Sequence, residues 1–285
     1  MKQLKVLVTG ANGQLGRDMV HRLKKNGENV FAFGRKELDI TDINRVLIKM
    51  KEIHPDVVIH CAAYTDVNMA ENKPDQSFLI NSYGTRNVAT ASEQIGSKLV
   101  YISTDYVFDG NTSSPYTEFA QTNPLNQYGK SKLAGEQFVR ELHSKFYIVR
   151  TSWLYGKHGH NFVKTMLTLA NEKDSISVIS DQIGCPTYTL DLSERISQII
   201  HTDKYGTYHI SNTGSCSWYE FAESIFKNKK ITIELQQIHS KMFENDTPRP
   251  PYSVLGDRAL ILNGFNKMRN WKDALVAFLS DLENR

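Results

Sequence analysis

Leu4-Lys5-Val6-Leu7-Val8-Thr9-Gly10-Ala11-Asn12-Gly13-Gln14-Leu15-Gly16 is the stretch whose reading decides the fold. An apolar, β-rich run enters a turn with glycine at every third position. Leu15, Met19 and Leu23 then recur at helical spacing and mark one apolar face. The order is strand, glycine loop, helix. A helix start presents unpaired N–H groups and a partial positive charge. Glycine lets the backbone come close to a ligand. The loop Gly10, Ala11, Asn12, Gly13, Gln14, Leu15, Gly16 therefore predicts a cradle for a dinucleotide pyrophosphate. Glycines alone would fit any tight turn; the strand before them and the helix after them supply the context.

Outward from this loop the same alternation continues. Short apolar runs at 4–8, 30–33, 57–59, 99–102 and 146–149 are continuously apolar, as strands buried on both faces are. Segments with helical spacing lie between them, one containing Val46, Ile48 and Met50, another Val88 and Ala91 before Gly96. Such alternation predicts an α/β fold, a Rossmann-type doubly wound parallel sheet. The second half differs. Helices are expected at 162–172, 190–200, 218–226 and 271–282, and a strand at 205–211. Pro248, Pro250 and Pro251 mark an extended loop. The expected division is a dinucleotide domain at 1–152, joined by about 190–212, and a smaller interleaved substrate domain over 153–285.

The second strand ends in Phe33-Gly34-Arg35-Lys36. An acidic residue there would bind a ribose 2′-hydroxyl and favour NAD. Arg35 instead suits a 2′-phosphate, so NADPH is expected, with NADH as the alternative. Asp39 is a candidate acceptor for the adenine amino group, and Thr41 or Asp42 a candidate helix cap.

Tyr128-Gly-Lys-Ser-Lys132 places tyrosine and lysine at i and i+4, on one helix face. With thirteen tyrosines, about one such pair is expected by chance, so spacing proves nothing. Its place does: it comes after the fourth strand, where the C-terminal edge of a parallel sheet builds its site. Ketone reduction needs a proton on oxygen, and an ammonium beside a phenol lowers the phenol's pKa. Lys132 is also suited to hold a nicotinamide ribose. Thr104, in Ser103-Thr104-Asp105-Tyr106, ends the preceding strand and is a candidate partner for the substrate oxygen, the alternative being a Ser/Thr turn.

Composition excludes other classes. The net charge is +3 and the basic residues are scattered, which does not suit nucleic acid. The Lys227/Lys229/Lys230 cluster reads as a solvated helix end. No apolar run reaches the length of a membrane span. Three cysteines, Cys61, Cys185 and Cys216, show neither metal spacing nor a disulfide pattern. A cytoplasmic enzyme is expected.

These residues carry a resemblance. The glycine loop, Thr104 and the Tyr128/Lys132 pair resemble the extended short-chain dehydrogenase/reductases. Ser103–Gly110, Arg150–Gly156, Asp181–Thr187 and Arg249–Ser253 further resemble the dTDP-4-dehydrorhamnose reductases, and the likeness runs from the first strand to near residue 280. The resemblance implies NADPH-dependent reduction at C4 of dTDP-4-dehydro-β-L-rhamnose, the last step of dTDP-L-rhamnose formation. It implies Tyr128 as proton donor, Lys132 as the group that tunes it, and Thr104 as tuning or orienting the ketone. It implies cofactor contacts at Asp39, Ile40, Ala62, Ala63, Tyr64 and Thr65. Substrate contacts are implied at Thr104, Asp105 and Trp153, with Arg249 a candidate for a nucleotide phosphate. Trp153 as an apolar wedge, and Arg249 as a loop residue stacked on prolines, are the structural alternatives. Asn161 and Phe162 read as a helix start and a core contact. Some members hold magnesium through glutamates; here Leu15 and Leu190 stand nearby and cannot ligate it. No metal is expected, and a monomer or weak homodimer is. A related nucleotide-sugar reductase or epimerase, or a non-catalytic regulatory homologue, stays open. Against a dehydratase, Thr104-Asp105-Tyr106 lacks the following glutamate.

Overall fold

The computed structural model describes residues 3–242 and 247–283. In chain order its first half comprises β1 (Lys5–Thr9), α1 (Gln14–Lys25), β2 (Asn29–Phe33), α2 (Ile43–Ile53), β3 (Val57–His60), α3 (Val67–Asn72), α4 (Pro74–Phe78), a π-helical segment (Leu79–Gly84), α5 (Thr85–Gln94), β4 (Lys98–Thr104), a 3₁₀ turn (Asp105–Val107), α6 (Gln127–Leu142) and β5 (Phe146–Thr151). The second half comprises β6 (Leu154–Tyr155), α7 (Phe162–Glu172), β7 (Ser175–Ile179), β8 (Ile183–Gly184), β9 (Thr187–Tyr188), α8 (Thr189–Ile199), β10 (Gly206–His209), β11 (Cys216–Ser217), α9 (Trp218–Lys229), β12 (Glu234–Ile238), a 3₁₀ turn (Ser240–Met242), α10 (Arg258–Leu262) and α11 (Trp271–Glu283).

Among the described residues six strands form one parallel sheet in the order β10-β5-β4-β3-β1-β2. The order reverses at β1, whose neighbours are β2 and β3, and crevices for ligands open at such a reversal. The strands extend one to three residues beyond the apolar runs, because ladder hydrogen bonds continue into polar ends such as Ser103 and Thr104.

Each sheet face is covered by its own core. Met19 and Leu23 of α1 and Leu192, Ile196 and Ile199 of α8 pack on one side. Val46 and Met50 of α2 and Val88 and Ala91 of α5 pack on the other. Burying one such side chain contributes about 1.5–3 kcal/mol. Ile48, in the same helix, is 65% exposed; at two residues from Val46 and Met50 it points the opposite way. Asp42, not Thr41, caps α2, accepting from the N–H groups of Asn44 and Arg45.

A third core gathers Tyr155, Val163, Phe221, Trp271 and Phe278 from the second half. Small sheets accompany it, β6 with β9, β7 with β12, and β8 with β11. α8 and β10 belong to the second half in sequence but pack on and extend the large sheet. No helix among the described residues is long and apolar enough to cross a membrane.

Candidate active site

The phosphate loop is shaped by close contacts. A Cβ on Gly16 would meet Gly10 O and lie 2.8 Å from Ala11 Cα, and Gly10 holds φ +63° against the backbone of Ala62. Gly13 stands at the N-cap of α1 without a side-chain bond, and the first turn holds no acidic residue. Its N–H groups are left to an anion. Arg22, Lys24 and Lys25 close its last turn and complement the dipole. These features fit a dinucleotide pyrophosphate.

The loop opens into a cavity of about 840 Å³ over the C-terminal ends of β1 to β5. It brings together Gly10, Asn12, Gly13, Gln14, Leu15, Gly16, Arg35, Asp39, Ile40, Ala62, Ala63, Tyr64 and Thr65 with Thr104, Asp105, Tyr128, Lys132 and Trp153. Two expected residues lie elsewhere. Ala11 is buried behind the loop, its N–H donating to Phe33 O at 3.0 Å. Arg249 lines an adjoining pocket of about 470 Å³ with Asn68 and His160, and donates to Asn68 Oδ1 at 3.0 Å. Leu15 is also part of a sheet-face core and Leu190 packs on the second-half core. Asp39 accepts from Thr41 N and Oγ1, which hold its carboxyl below the usual range, so one of its oxygens is already engaged.

α6 carries the Tyr/Lys pair, and its start is tightly seated. Asn126 caps it, accepting from Gly129 N at 2.8 Å and donating to Pro248 O at 2.9 Å. A side chain at Gly129 would strike Tyr106 O, so only glycine lets α6 press on that turn. Tyr128 thereby meets Tyr106 edge-on, ring centres 5.9 Å apart, and lines the cavity beside Thr104. Lys132 is 2% exposed; its Nζ donates to Ile102 O at 2.6 Å and lies 4.1 Å from the Tyr101 ring centre.

The expected electrostatics require a correction. Burial raises the Tyr128 phenol above its ordinary value, and what opposes this is Thr104, not Lys132. Burial lowers Lys132 to about 7, opposed chiefly by the Glu136 carboxylate. The ammonium is committed to a carbonyl and a ring face, and low polarity favours the neutral form of both groups. A phenol that keeps its proton is the form a proton donor needs.

Several residues of the site escaped the sequence reading. Glu136, one turn after Lys132, is fully buried and accepts from Ser103 Oγ, Arg150 Nε and Arg150 Nη2 at 2.6, 2.8 and 2.7 Å. It ties α6 to the ends of β4 and β5. Asn81, in the π-helical segment, pairs with both N and O of Tyr64 and donates to Ser131 Oγ at 3.0 Å, fixing the cofactor-side loop to α6. Trp218 stacks on Trp153 with ring centres 3.5 Å apart and planes at 6°. Trp153 has φ +45°, where the chain leaves β5 for β6. Its indole thus both packs on the second core and lines the cavity. Asn161 caps α7 and Phe162 packs on Trp218, as expected of a helix start and core contact. Only the buried charge at Glu136, spaced i+4 from Lys132, left a signal in the sequence.

Comparison with known proteins gives a consistent result. The family model described as RmlD substrate binding domain matches residues 4–284. The chain is 43% identical to the spore coat polysaccharide biosynthesis protein SpsK of Bacillus subtilis, over 97% of each. It is 40% identical to a dTDP-4-dehydrorhamnose reductase of Streptomyces griseus, covering 95% of this chain and 91% of that one. Among solved structures, dTDP-4-dehydrorhamnose reductase of Bacillus anthracis in complex with NADP superimposes with a TM-score of 0.97 at 50% identity, covering 98% of this chain and 100% of that one.

Proposed function

This chain belongs to the RmlD substrate-binding domain family, and from that premise we propose that it is an NADPH-dependent oxidoreductase. It reduces the C4 ketone of dTDP-4-dehydro-β-L-rhamnose to dTDP-β-L-rhamnose, the closing step of dTDP-L-rhamnose biosynthesis. The observation that carries this is the convergence of Tyr128, Thr104 and Lys132 on the cavity that the glycine loop opens. Residues 1–152 with about 190–212 hold the cofactor and 153–285 the sugar side, since α8 and β10 complete the large sheet. The chain's expected state is a monomer or weak homodimer. Three free cysteines suit the cytoplasm.

The α1 N-terminus and Gly10, Gly13 and Gly16 hold the pyrophosphate, and Arg35 the 2′-phosphate. When bound, the dihydronicotinamide supplies hydride to C4. Tyr128 gives its proton to the ketone oxygen as charge gathers there. Thr104 orients that phenol. Lys132 holds the nicotinamide ribose. Trp153 presents an aromatic face to the sugar and Arg249 a guanidinium to the nucleotide phosphates.

Purified protein with NADPH and the 4-keto sugar nucleotide should consume NADPH in proportion to product, identified by NMR. Turnover without net cofactor loss would point to an epimerase instead. Tyr128→Phe should lower kcat on the order of a hundredfold or more; an unchanged rate would remove Tyr128 from the chemistry.

A further inference from the structure

The Thr104 hydroxyl has one proton and two lone pairs. Its proton goes to Asp105 Oδ1 at 3.0 Å, and one lone pair accepts from Tyr106 N–H at 3.2 Å. The other lone pair is left for the neighbouring Tyr128 phenol, which lines the same cavity and feels the Thr104 hydroxyl. While Asp105 is a carboxylate, the hydrogen bonds therefore run from Tyr128 to Thr104 to Asp105. In that direction the Tyr128 proton is committed to Thr104 and not offered to a substrate.

Asp105 has features that favour a proton of its own. It is 3% exposed, and its Oδ2 is buried with no hydrogen-bond partner in the described structure, the Ser253 hydroxyl lying beside it. A buried carboxylate oxygen without a donor is costly, and protonation removes the charge. With that proton on Oδ1, the oxygen that meets Thr104, Asp105 donates to Thr104 and reverses the chain, and Oδ2 is left a neutral carbonyl oxygen. Thr104 then donates to Tyr128, whose own proton is free to face the cavity.

We infer that Asp105 is the source of the proton that ends on the substrate oxygen, delivered through Thr104 and Tyr128. This rests on the reductase reading. The step balances. The carbonyl carbon gains hydride from the dihydronicotinamide. The Tyr128 O–H bond breaks as the product O–H forms. The Thr104 O–H breaks as the phenol re-forms, and the Asp105 O–H breaks as the Thr104 hydroxyl re-forms. Asp105 ends as a carboxylate and regains its proton from solvent after product leaves.

The groups around Asp105 are Tyr106 on its own turn, Tyr128 on α6, and Cys185 and Ser253 from the second half. Arg249 acts on Tyr106. Burial lifts the Asp105 carboxyl to about 6, against the stabilising effect of the nearby Ser253 hydroxyl, the Thr104 hydroxyl and the local backbone N–H groups. The donor is the protonated form, so the rate falls as pH rises through that value.

The test uses full-length protein with NADPH and the 4-keto sugar nucleotide. It measures kcat against pH and a proton inventory in mixed H₂O and D₂O. Wild type should show a curved inventory, several protons moving together, and a kcat that falls with rising pH. Asp105→Asn should lose the pH limb, give a linear inventory and lower kcat on the order of a hundredfold. Thr104→Val should do the same with Asp105 intact, and Thr104→Ser should restore both signatures. The Thr104 pair decides the matter even if Asp105→Asn does not fold. A wild-type profile and curvature in either Asp105→Asn or Thr104→Val would overturn the inference. So would a rise confined to the KM of the sugar nucleotide. Absence of turnover by wild type would instead overturn the reductase reading.

Discussion

Glu136→Gln tests how the catalytic helix is held. Glu136 is fully buried and accepts four hydrogen bonds, the fourth from Arg140 Nη1 at 3.0 Å. Arg150 is 2% exposed, sits 5.1 Å over the Phe108 ring and meets His209 Nε2 at 3.4 Å, so Glu136 is its counter-charge. A glutamine of the same shape keeps one acceptor and turns two N–H donors toward guanidinium donors. Breaking a buried pair in this way costs about 3–5 kcal/mol, against a total stability of about 5–15 kcal/mol. At roughly 2–3 °C per kcal/mol, Tm should fall by about 6–15 °C. Thermal unfolding monitored by circular dichroism, with urea midpoints beside it, reads this directly. Glu136→Gln with Arg150→Met removes both charges and should recover most of the loss. The acid limb should change too. Burial alone would raise the Glu136 carboxyl, but Arg150, Arg140 and Ser103 hold it below its ordinary 4.5. Its contribution is therefore complete above that value and is lost as pH falls through the lower folded value. The single variant should lack this part of the acid-side loss. A Glu136→Gln protein melting within about 2 °C of wild type would refute the reasoning.

Other expectations concern the ligand sites. Gly16→Ala puts a methyl against Gly10 O and Ala11 Cα, backbone atoms that must shift, so KM for NADPH should rise at least about tenfold by steady-state kinetics. Arg35→Ala removes a charge-assisted contact of about 1.5–3 kcal/mol, so KM for NADPH should rise about ten- to a hundredfold while KM for NADH holds; equal effects on both would place Arg35 outside the 2′-phosphate site. Trp218→Ala removes a stacked indole pair of about 0.5–1.5 kcal/mol, so KM for the sugar nucleotide should rise about two- to tenfold. The exciton signal of the paired indoles in circular dichroism should disappear with it, and Trp218→Phe should keep the lower KM.

The sequence by itself determined the periodic part of the molecule. Strand, glycine loop and helix around Gly10–Gly16 were legible because local sterics and hydrophobic period act within a few residues. The helices at Phe162–Glu172 and Trp271–Glu283 were legible for the same reason. Arg35, Thr104, Tyr128 and Lys132 were legible as candidates because parallel strands deliver the residues after their C-terminal ends to one edge of the sheet. Contacts between distant segments were decided only by tertiary structure. Strand 205–211 was expected, but its pairing beside β5 is a contact made across more than fifty residues. Trp218 reached Trp153 from another helix, and the capping box at Ser217 and Glu220 says only that a helix begins there. The Tyr128/Lys132 spacing suggested that the ammonium tunes the phenol; burial, Ile102 O and Glu136 instead decide the charge of Lys132. Spacing places side chains on a shared face, whereas desolvation and hydrogen-bond direction depend on everything packed around them.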